Sequence, residues 1–299
     1  MSDYPILQVL PKDVIGDEAM GSKTKFWFRR DTQQWLFKEA REGTGEDWAE
    51  KAASELAHIF DVSAATVELA EFEGRRGCAS LSFLHPEEGE ALIHGNEIMA
   101  GIVLGYDRAK KFHQSDHTLE NIEKAICKLF PAEAVHKGVL TNLAGYLVLD
   151  ALIGNTDRHH ENWALLFQLK KVGDAADLKL QVAPSFDHAS SLGRELLDAR
   201  RLNLLRSGAV GKYVRSGQGA IYLGTSDKHG ANPLRLVEFG ARQFPDYFLP
   251  TIRQLKRRSI SDLQQVLNPV PAARMSETSK DFTKAFLAYT YEALTNLIE

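Results

Sequence analysis

The sequence predicts an α+β fold of two lobes, a β-rich N-terminal lobe over residues 1–85 and a mainly helical C-terminal lobe over residues 86–299. Two observations lead to this division. Short runs rich in aromatic and β-branched residues, separated by polar turns, fill the first part and are typical of strands and hairpins. Apolar residues at helical spacing dominate the part after residue 85, which favours helices that pack on one another.

The composition is that of an ordinary globular protein, because 44% of the 299 residues are hydrophobic and 25% are charged. A formal net charge of −4 makes general nucleic-acid binding unfavourable. Cys78 and Cys127 lack a paired spacing and indicate a reducing compartment. The most apolar stretch, residues 139–153, is short for a membrane span and carries Asn142 and Asp150. Without a signal-peptide pattern we expect a cytoplasmic protein, and export that leaves no N-terminal signature stays open.

In the N-terminal part, residues 25–30 and 35–38 are aromatic-rich runs on either side of a polar connection, which predicts a β-hairpin. A helix follows, with Thr44 as its expected N-cap and alanine and leucine at helical spacing. Residues 67–72 and 78–83 predict two further strands. The N-terminal lobe is therefore expected to be a sheet with one amphipathic helix.

The C-terminal part begins with an apolar helical stripe over residues 119–129 that Pro131 ends. Residues 139–153 are apolar nearly all round, as in a helix buried inside a lobe. Two strands with a turn at residues 173–174 come next. The remaining predicted helical stretches are residues 234–266 and 282–298.

Two polar clusters lie on either side of these two strands. Gly154-Asn-Thr-Asp-Arg-His-His-Glu-Asn162 follows the buried helix, and Ala183-Pro-Ser-Phe-Asp187 follows the second strand. A β-hairpin between the clusters would bring Asp187 back beside Asn162, with Asp157 at the same edge. A polar loop that leaves an apolar helix is a favourable place for chemistry.

This set of residues fits phosphoryl transfer. One carboxylate would position and deprotonate an acceptor hydroxyl, while an amide oxygen and a second carboxylate would hold Mg²⁺ against ATP phosphates. The same chemistry needs a lysine on a strand and a glutamate on a helix that orients it. Lys38 ends a predicted strand, and Glu50 lies on the helix that follows, with Glu46 and Glu55 as alternatives.

The chain resembles the HipA-like serine/threonine kinases, a bacterial family with a reduced protein-kinase fold, and in its short form resembles the stand-alone CtkA-like branch. The clusters at residues 154–162 and 183–187 carry the resemblance, and the second stands where eukaryotic kinases have Asp-Phe-Gly. The resemblance extends to the Lys38 strand and to the helix at residues 50–57, and it covers most of residues 20–195. The resemblance implies a single kinase-like domain with a two-lobed protein-kinase-like fold.

By this resemblance, Asp157 is the catalytic aspartate, and Asn162 and Asp187 are the magnesium ligands. Lys38 with Glu50 would place the phosphates of ATP, so the implied cofactors are ATP and Mg²⁺. The loop that covers the phosphates would bind ATP through Gly21, Ser22 and Lys23.

The resemblance also implies transfer of the γ-phosphate to a protein substrate, autophosphorylation with Ser22 as the candidate site, and an antitoxin-like regulator. Three other functions fit parts of the pattern. A lipid or small-molecule kinase would share the same core, and a pseudokinase would bind ATP as an interaction module. A metal-dependent phosphohydrolase would use Asp157, Asp187 and His188 as ligands.

Overall fold

A computed structural model describes residues 2–17, 24–172 and 175–298. A six-stranded sheet forms from the N-terminal part of the chain. Its strands are β1 (Ile6–Val9), β2 (Val14–Asp17), β3 (Lys25–Arg30), β4 (Gln33–Glu39), β5 (Val67–Phe72) and β6 (Arg75–Leu81). Their order is β1-β5-β6-β4-β3-β2, and β1 pairs with β5 in parallel whereas the other neighbours are antiparallel.

The predicted hairpin is confirmed as β3 and β4, with a connection of two residues because β4 begins at Gln33. Side chains alternate between the two faces of this hairpin. One face is buried in an apolar cluster, whose β3 and β4 members are Phe26, Phe28, Trp35 and Phe37. Lys38 follows Phe37 and therefore points to the opposite face, where its backbone pairs with Cys78 of β6.

The predicted helix is α1 (Glu46–Ile59), and its N-cap is Gly45 rather than Thr44. The Thr44 hydroxyl donates a hydrogen bond to the carbonyl oxygen of Arg41 at 2.8 Å, and no side chain caps the helix. The predicted cap was wrong because this hydroxyl closes the preceding turn instead of accepting from the first helical N–H groups.

A second sheet contains β7 (Glu90–His94), β8 (Ala164–Val172) and β9 (Ala175–Val182) in that antiparallel order. The turn predicted at residues 173–174 lies outside the described residues. The paired strands that flank it carry the chain from the first polar cluster to the second, so the predicted hairpin is confirmed.

Helices make up most of the C-terminal part. They are α2 (Gly95–Ile102), α3 (Leu119–Leu129), α4 (Glu133–Ile153), α5 (Asp198–Arg206), α6 (Val210–Ser216), α7 (Pro233–Gln243), α8 (Pro245–Lys256), α9 (Ile260–Gln265) and α10 (Glu277–Thr295). As predicted, α4 is buried on nearly every side from Val139 onward and contributes to the main apolar core, together with α1. In the described ranges, no helix is long and apolar enough to cross a membrane.

Buried polar contacts join the N-terminal sheet to the helical part. Asp47, in the first turn of α1, is bound by Arg76 of β6 and by Arg274, which precedes α10. The Tyr4 hydroxyl also donates to the carbonyl oxygen of Val266 at 3.0 Å. These contacts fix the position of α1, and with it that of Glu50, relative to the loops that follow α4.

Candidate active site

Lys38, near the end of β4, lies beside Asp187, which follows β9. The ammonium nitrogen of Lys38 is 3.0 Å from Asp187 Oδ1, and the side chains are 14% and 33% exposed. Burial lowers the pKa of Lys38, but the attraction of Asp187 and Glu50 and the hydrogen bond to Asp187 together outweigh burial and raise the pKa above its ordinary value. Lys38 in turn holds the pKa of Asp187 well below the usual range. Both groups therefore carry their charge at neutral pH.

Of the three candidate glutamates on α1, Glu50 is the one whose charge acts on Lys38. Glu55 is bound to Lys51 at 2.7 Å, and Glu46 accepts from Arg194. Glu50 is almost fully buried, and burial raises its pKa while the attraction of Lys38 opposes that rise. The charge effect on Lys38 and the other partners of Glu46 and Glu55 therefore favour Glu50.

The loop after α4 is held by a buried carboxylate in the last turn of that helix. Asp150 accepts hydrogen bonds from Arg158 Nε at 2.7 Å, Arg158 Nη2 at 2.8 Å and Asn155 Nδ2 at 2.8 Å. Gly154 ends α4 in the left-handed region with φ of 65°, and a Cβ there would lie 2.4 Å from the Phe286 ring. Only glycine fits both the conformation and the space.

Arg158 joins the two polar clusters that the sequence singled out. Its Nη1 donates to the carbonyl oxygens of Asn162 at 2.5 Å and Phe186 at 3.2 Å. Its Nη2 donates to Ser185 Oγ at 2.9 Å. Because Asp150 holds the same guanidinium, both loops are fixed to α4.

Asp157 lies on this fixed loop with its carboxylate turned partly to solvent. Its carbonyl oxygen accepts from Asn162 Nδ2 and from the backbone N–H of His159, each at 2.8 Å, while its side chain remains 37% exposed. Burial and the repulsion of Asp187 raise the pKa of the Asp157 carboxyl. A carboxylate with a raised pKa is a stronger proton acceptor than an ordinary aspartate.

Asp157, Asp187 and Lys38 line one cavity of about 180 Å³. Glu50 and Asn162 are buried but are not among its lining residues. The basic residues that line it are Lys25, Lys38, Arg41, Lys111 and Arg194. Five carboxylates line it as well, those of Glu39, Glu46, Asp47, Asp157 and Asp187. This mixture of acidic and basic groups suits phosphate groups together with a bound cation. A second cavity of about 310 Å³ adjoins it, because Ser190 and Arg194 line both.

The adjacent histidines have separate partners. His159 Nδ1 accepts from the backbone N–H of Glu161 at 3.2 Å, and burial lowers the pKa of His159 to about 3. His160 Nδ1 lies 2.8 Å from the Tyr106 hydroxyl, and burial lowers the pKa of His160 as well. Both rings are therefore neutral at pH 7 and pack within the loop.

The oxygen atoms near Asp187 suit Mg²⁺. Asp187 uses Oδ1 for Lys38, and Asn162 uses its amide nitrogen, which leaves a carboxylate oxygen and an amide oxygen for a hard cation. His188, a ligand in the phosphohydrolase alternative, places Nε2 2.7 Å from Ser185 Oγ. Within the described ranges, no three side chains of the His, Cys, Asp or Glu type cluster closely enough to hold a metal ion.

Some predicted residues lie outside the described part of the chain, namely Gly21, Ser22 and Lys23 of the phosphate loop. Other residues of the site had no assigned role in it from the sequence, namely Arg158, Lys111 and Arg194. Asp150 in an apolar helix was a signal for Arg158, because a buried carboxylate needs a cationic partner. Arg194 had a weaker signal, because it follows the second polar cluster in the sequence. Lys111 gave no signal, because only the fold brings it to the cavity.

Comparison with known proteins decides the family. Residues 17–209, more than half of the chain, match the model of the HipA-like C-terminal domain. The chain belongs to the HipA-like kinase family. No curated protein sequence matches this HipA-like chain.

Two solved structures share the fold. The crystal structure of the Helicobacter pylori proinflammatory kinase CtkA is 18% identical in sequence, covers 99% of each chain and gives a TM-score of 0.80. A chain of the Shewanella oneidensis MR-1 complex of HipA, HipB and operator DNA is 12% identical and gives a TM-score of 0.58 over 94% of this chain and 65% of that one. The predicted family and the predicted α+β kinase-like fold are confirmed, and the fold is that of a kinase-like phosphotransferase.

Proposed function

We propose that this HipA-like chain transfers the γ-phosphoryl group of Mg-ATP to a serine or threonine hydroxyl of a protein, including its own. The observation that carries this proposal is that Asp157 lines the same cavity as the Lys38–Asp187 ion pair. Phosphoryl transfer needs positioning and charge neutralisation more than covalent participation of the protein. With Asp157 as proton acceptor, Lys38 as cation and Asp187 as metal-binding carboxylate, the cavity would supply both the positioning and the charge neutralisation.

Asp157 is the proposed catalytic residue. The acceptor oxygen forms a bond to the γ-phosphorus while the bond to the bridging oxygen of ADP breaks, and the hydroxyl proton passes to the Asp157 carboxylate. Its partial exposure gives a substrate hydroxyl access. Its raised pKa favours proton acceptance.

Lys38 and Glu50 are the proposed nucleotide-positioning pair, with Gly21, Ser22 and Lys23 as the loop over the phosphates. Lys38 is bound to Asp187, and the Glu50 Oε2 atom has no hydrogen-bond partner among the described residues. We propose that ATP phosphates draw Lys38 from Asp187 and that Glu50 then orients it. This exchange would leave Asp187 for the metal.

Asn162 and Asp187 would hold Mg²⁺, which neutralises the phosphate oxygens when bound. The chain fixes both ligands through Arg158, whose guanidinium contacts the carbonyl oxygens of Asn162 and Phe186. The ligands are therefore preorganised by the same side chain that Asp150 holds.

The test is an intact-mass measurement after incubation with Mg-ATP. The parent and Asp61→Ala are expected to gain mass in phosphate-sized steps, whereas Asp157→Ala and Asp187→Ala are not. Asp61 is the matched control because it is an exposed aspartate outside the cavity. Peptide mapping would then test Ser22. Full phosphorylation of the Asp187→Ala variant would refute the assignment of this site.

A small-molecule acceptor is the second candidate, and the adjoining cavity of about 310 Å³ favours it. This volume lies at the lower end of the range for small-ligand sites. Thr156, which precedes Asp157, lines it. Comparing ³²P transfer from ATP into protein with transfer into soluble polyols, aminoglycosides and inositides would separate the two acceptor classes.

The compartment and partners belong to the same proposal. We propose cytoplasmic action, where ATP is supplied and where the free thiols Cys78 and Cys127 stay reduced. The solved Shewanella complex contains HipA with HipB and operator DNA, which motivates an antitoxin-like regulator here. Affinity capture of the full chain at native expression level, followed by mass spectrometry, tests for such a regulator.

A further inference from the structure

The segment between α2 and α3 folds back on the loop that carries Asp157. Lys111 on this segment places Nζ 3.3 Å from Glu161 Oε2 and lines the cavity of the candidate active site. The ring of the next residue, Phe112, packs edge-on against the His159 ring with centroids 6.0 Å apart. The segment is therefore in contact with the catalytic loop.

Three other cations of the cavity, Lys38, Arg41 and Arg194, are bound to buried or partly buried carboxylates. Lys38 is bound to Asp187, and its side chain is only 14% exposed. Arg194 and Arg41 both donate to Glu46, which is buried. Lys38 already has a proposed role at the ATP phosphates. Moving either arginine would remove one of the two cations that compensate buried Glu46, which is costly.

Lys111 differs because its ion pair is at the surface. Its side chain is 44% exposed and that of Glu161 is 25% exposed, so the pair contributes little to stability and is easily exchanged. The catalytic loop offers no mobile cation of its own, because Arg158 is buried against Asp150. Three cations oppose the rise in the Asp157 pKa, and Lys111 has the largest effect of the three. This effect indicates that Lys111 lies close to the Asp157 carboxylate.

We propose that Lys111 is a further phosphate-binding residue, whose ammonium group leaves Glu161 and contacts the γ-phosphoryl group during its transfer. The inference rests on the proposed kinase function and deepens it. Lys111 takes no proton in the step: the bond from phosphorus to the ADP oxygen breaks, the bond to the acceptor oxygen forms, and Asp157 receives the acceptor proton. Lys111 balances the negative charge of the phosphoryl oxygens, which is the largest requirement of such a transition state.

The experiment compares Lys111→Met with Lys110→Met by calorimetric titration with the magnesium complexes of AMP-PNP and of ADP. Lys110 is the matched control, since it is the adjacent exposed lysine and does not line the cavity. For Lys111→Met we expect AMP-PNP to bind about 10- to 100-fold more weakly, the loss that follows from removing one charged hydrogen bond. ADP, which lacks the γ-phosphate, should bind as in the parent.

Lys110→Met should bind both nucleotides as the parent does, and Lys111→Arg should recover most of the AMP-PNP affinity because the cation is restored. Equal weakening of ADP and AMP-PNP in Lys111→Met would overturn the inference, since it would indicate a structural role. No weakening of either would overturn it as well. These results leave the proposed function intact, whereas a parent protein that binds neither nucleotide would refute both proposals.

Glu161→Gln gives an independent check, because this substitution releases Lys111 without removing it. AMP-PNP should bind about two- to fivefold more tightly, the range expected from an exposed ion pair. This gain should vanish when Glu161→Gln is combined with Lys111→Met, as in a double-mutant cycle. A gain that persists in the double variant would show that Glu161 acts without Lys111 and would contradict the proposed exchange.

Discussion

Two ionic clusters at the junction of the sheet and the helices differ in how completely their charges are compensated. Asp47 is fully buried, and Arg76 and Arg274 reach its two oxygens at 2.8–3.1 Å. Asp157 is 37% exposed, and the group 3.9 Å from its carboxylate is the neutral ring of His159. A carboxylate whose charge is fully compensated by bound cations holds parts of the fold together. A carboxylate without such partners is available for chemistry.

The two clusters also differ in how well the folded protein stabilises the charged form of their carboxylates. Arg274, itself only 7% exposed, contacts Asp47, the carbonyl oxygen of Ala70 and the carboxylate of Glu71. Among the described residues, no arginine binds the Asp157 carboxylate in this way, and its raised pKa means that folding disfavours its charged form. Substitutions in the first cluster should therefore affect stability, and those in the second should affect activity.

The largest expected effect is on activity, from Asp157→Asn. This change removes the proposed proton acceptor and should lower the rate of phosphoryl transfer by about 10²- to 10⁴-fold. The free energy of unfolding should not fall, because a carboxylate that folding disfavours is replaced by a neutral amide. Single-turnover kinetics and urea unfolding measure the two quantities. A large loss of stability would place Asp157 with the structural cluster instead.

Arg274→Met should have the largest effect on stability. It removes one of the two cations that compensate Asp47, and breaking such a buried pair costs about 3 kcal/mol. The folded fraction should keep its transfer rate, since Arg274 does not line the cavity. Urea unfolding followed by circular dichroism measures the loss. An unchanged unfolding midpoint would show that Arg76 alone compensates Asp47.

The pH dependence should separate the carboxylates of the cavity from each other. The apparent second-order rate constant should fall as the pH decreases through the raised pKa of Asp157, because the protonated acid cannot accept the acceptor proton. Asp187 has a lowered pKa, so it contributes stability above the ordinary aspartate pKa and loses it only as the pH falls through its own lower value.

As the pH decreases, the rate constant should therefore fall first, when Asp157 is protonated. The free energy of unfolding should lose the contribution of Asp187 only at lower pH. The fall of the rate constant at low pH is the acid limb of the pH–rate profile. A pH–rate profile and a pH series of unfolding curves provide the comparison. The residual rate of Asp157→Asn should lack the acid limb. An acid limb that survives this substitution would assign it to another group.

The smallest effect is expected from Asp61→Asn. Asp61 is bound to Arg258 at 3.0 Å, but the two side chains are 60% and 42% exposed. Exposed ion pairs contribute below about 1 kcal/mol, so neither stability nor transfer should change beyond that limit. If Asp61→Asn lowered the free energy of unfolding as much as Arg274→Met does, solvent exposure of an ion pair would not explain the difference in stability effects.

Much of the secondary structure could be predicted from local pattern. The aromatic alternation of the first hairpin gives β3 and β4 within two residues. The all-round apolar character of residues 139–153 gives the end of α4, which begins six residues earlier at Glu133. The helical stretch at residues 234–266 is three helices, because Pro245 begins a new one and Ser259 caps another. A helix cap depends on a single side-chain hydrogen bond, which local sequence does not determine. Thr44 was wrongly expected to cap α1 because its hydroxyl bonds to Arg41 instead.

The sequence by itself determined the family, the order of the elements and the two polar motifs, because helical and strand periodicity and a motif in one loop are local properties. The sequence also preferred Glu50 among three glutamates, and the charge of Glu50 does act on Lys38 in the fold. Only the tertiary structure brought Lys111 to the loop that carries Asp157. It also gave Arg158 its second set of contacts, on the loop before Asp187. These contacts join residues far apart in the chain, and burial, rather than residue type, decides which charges are compensated.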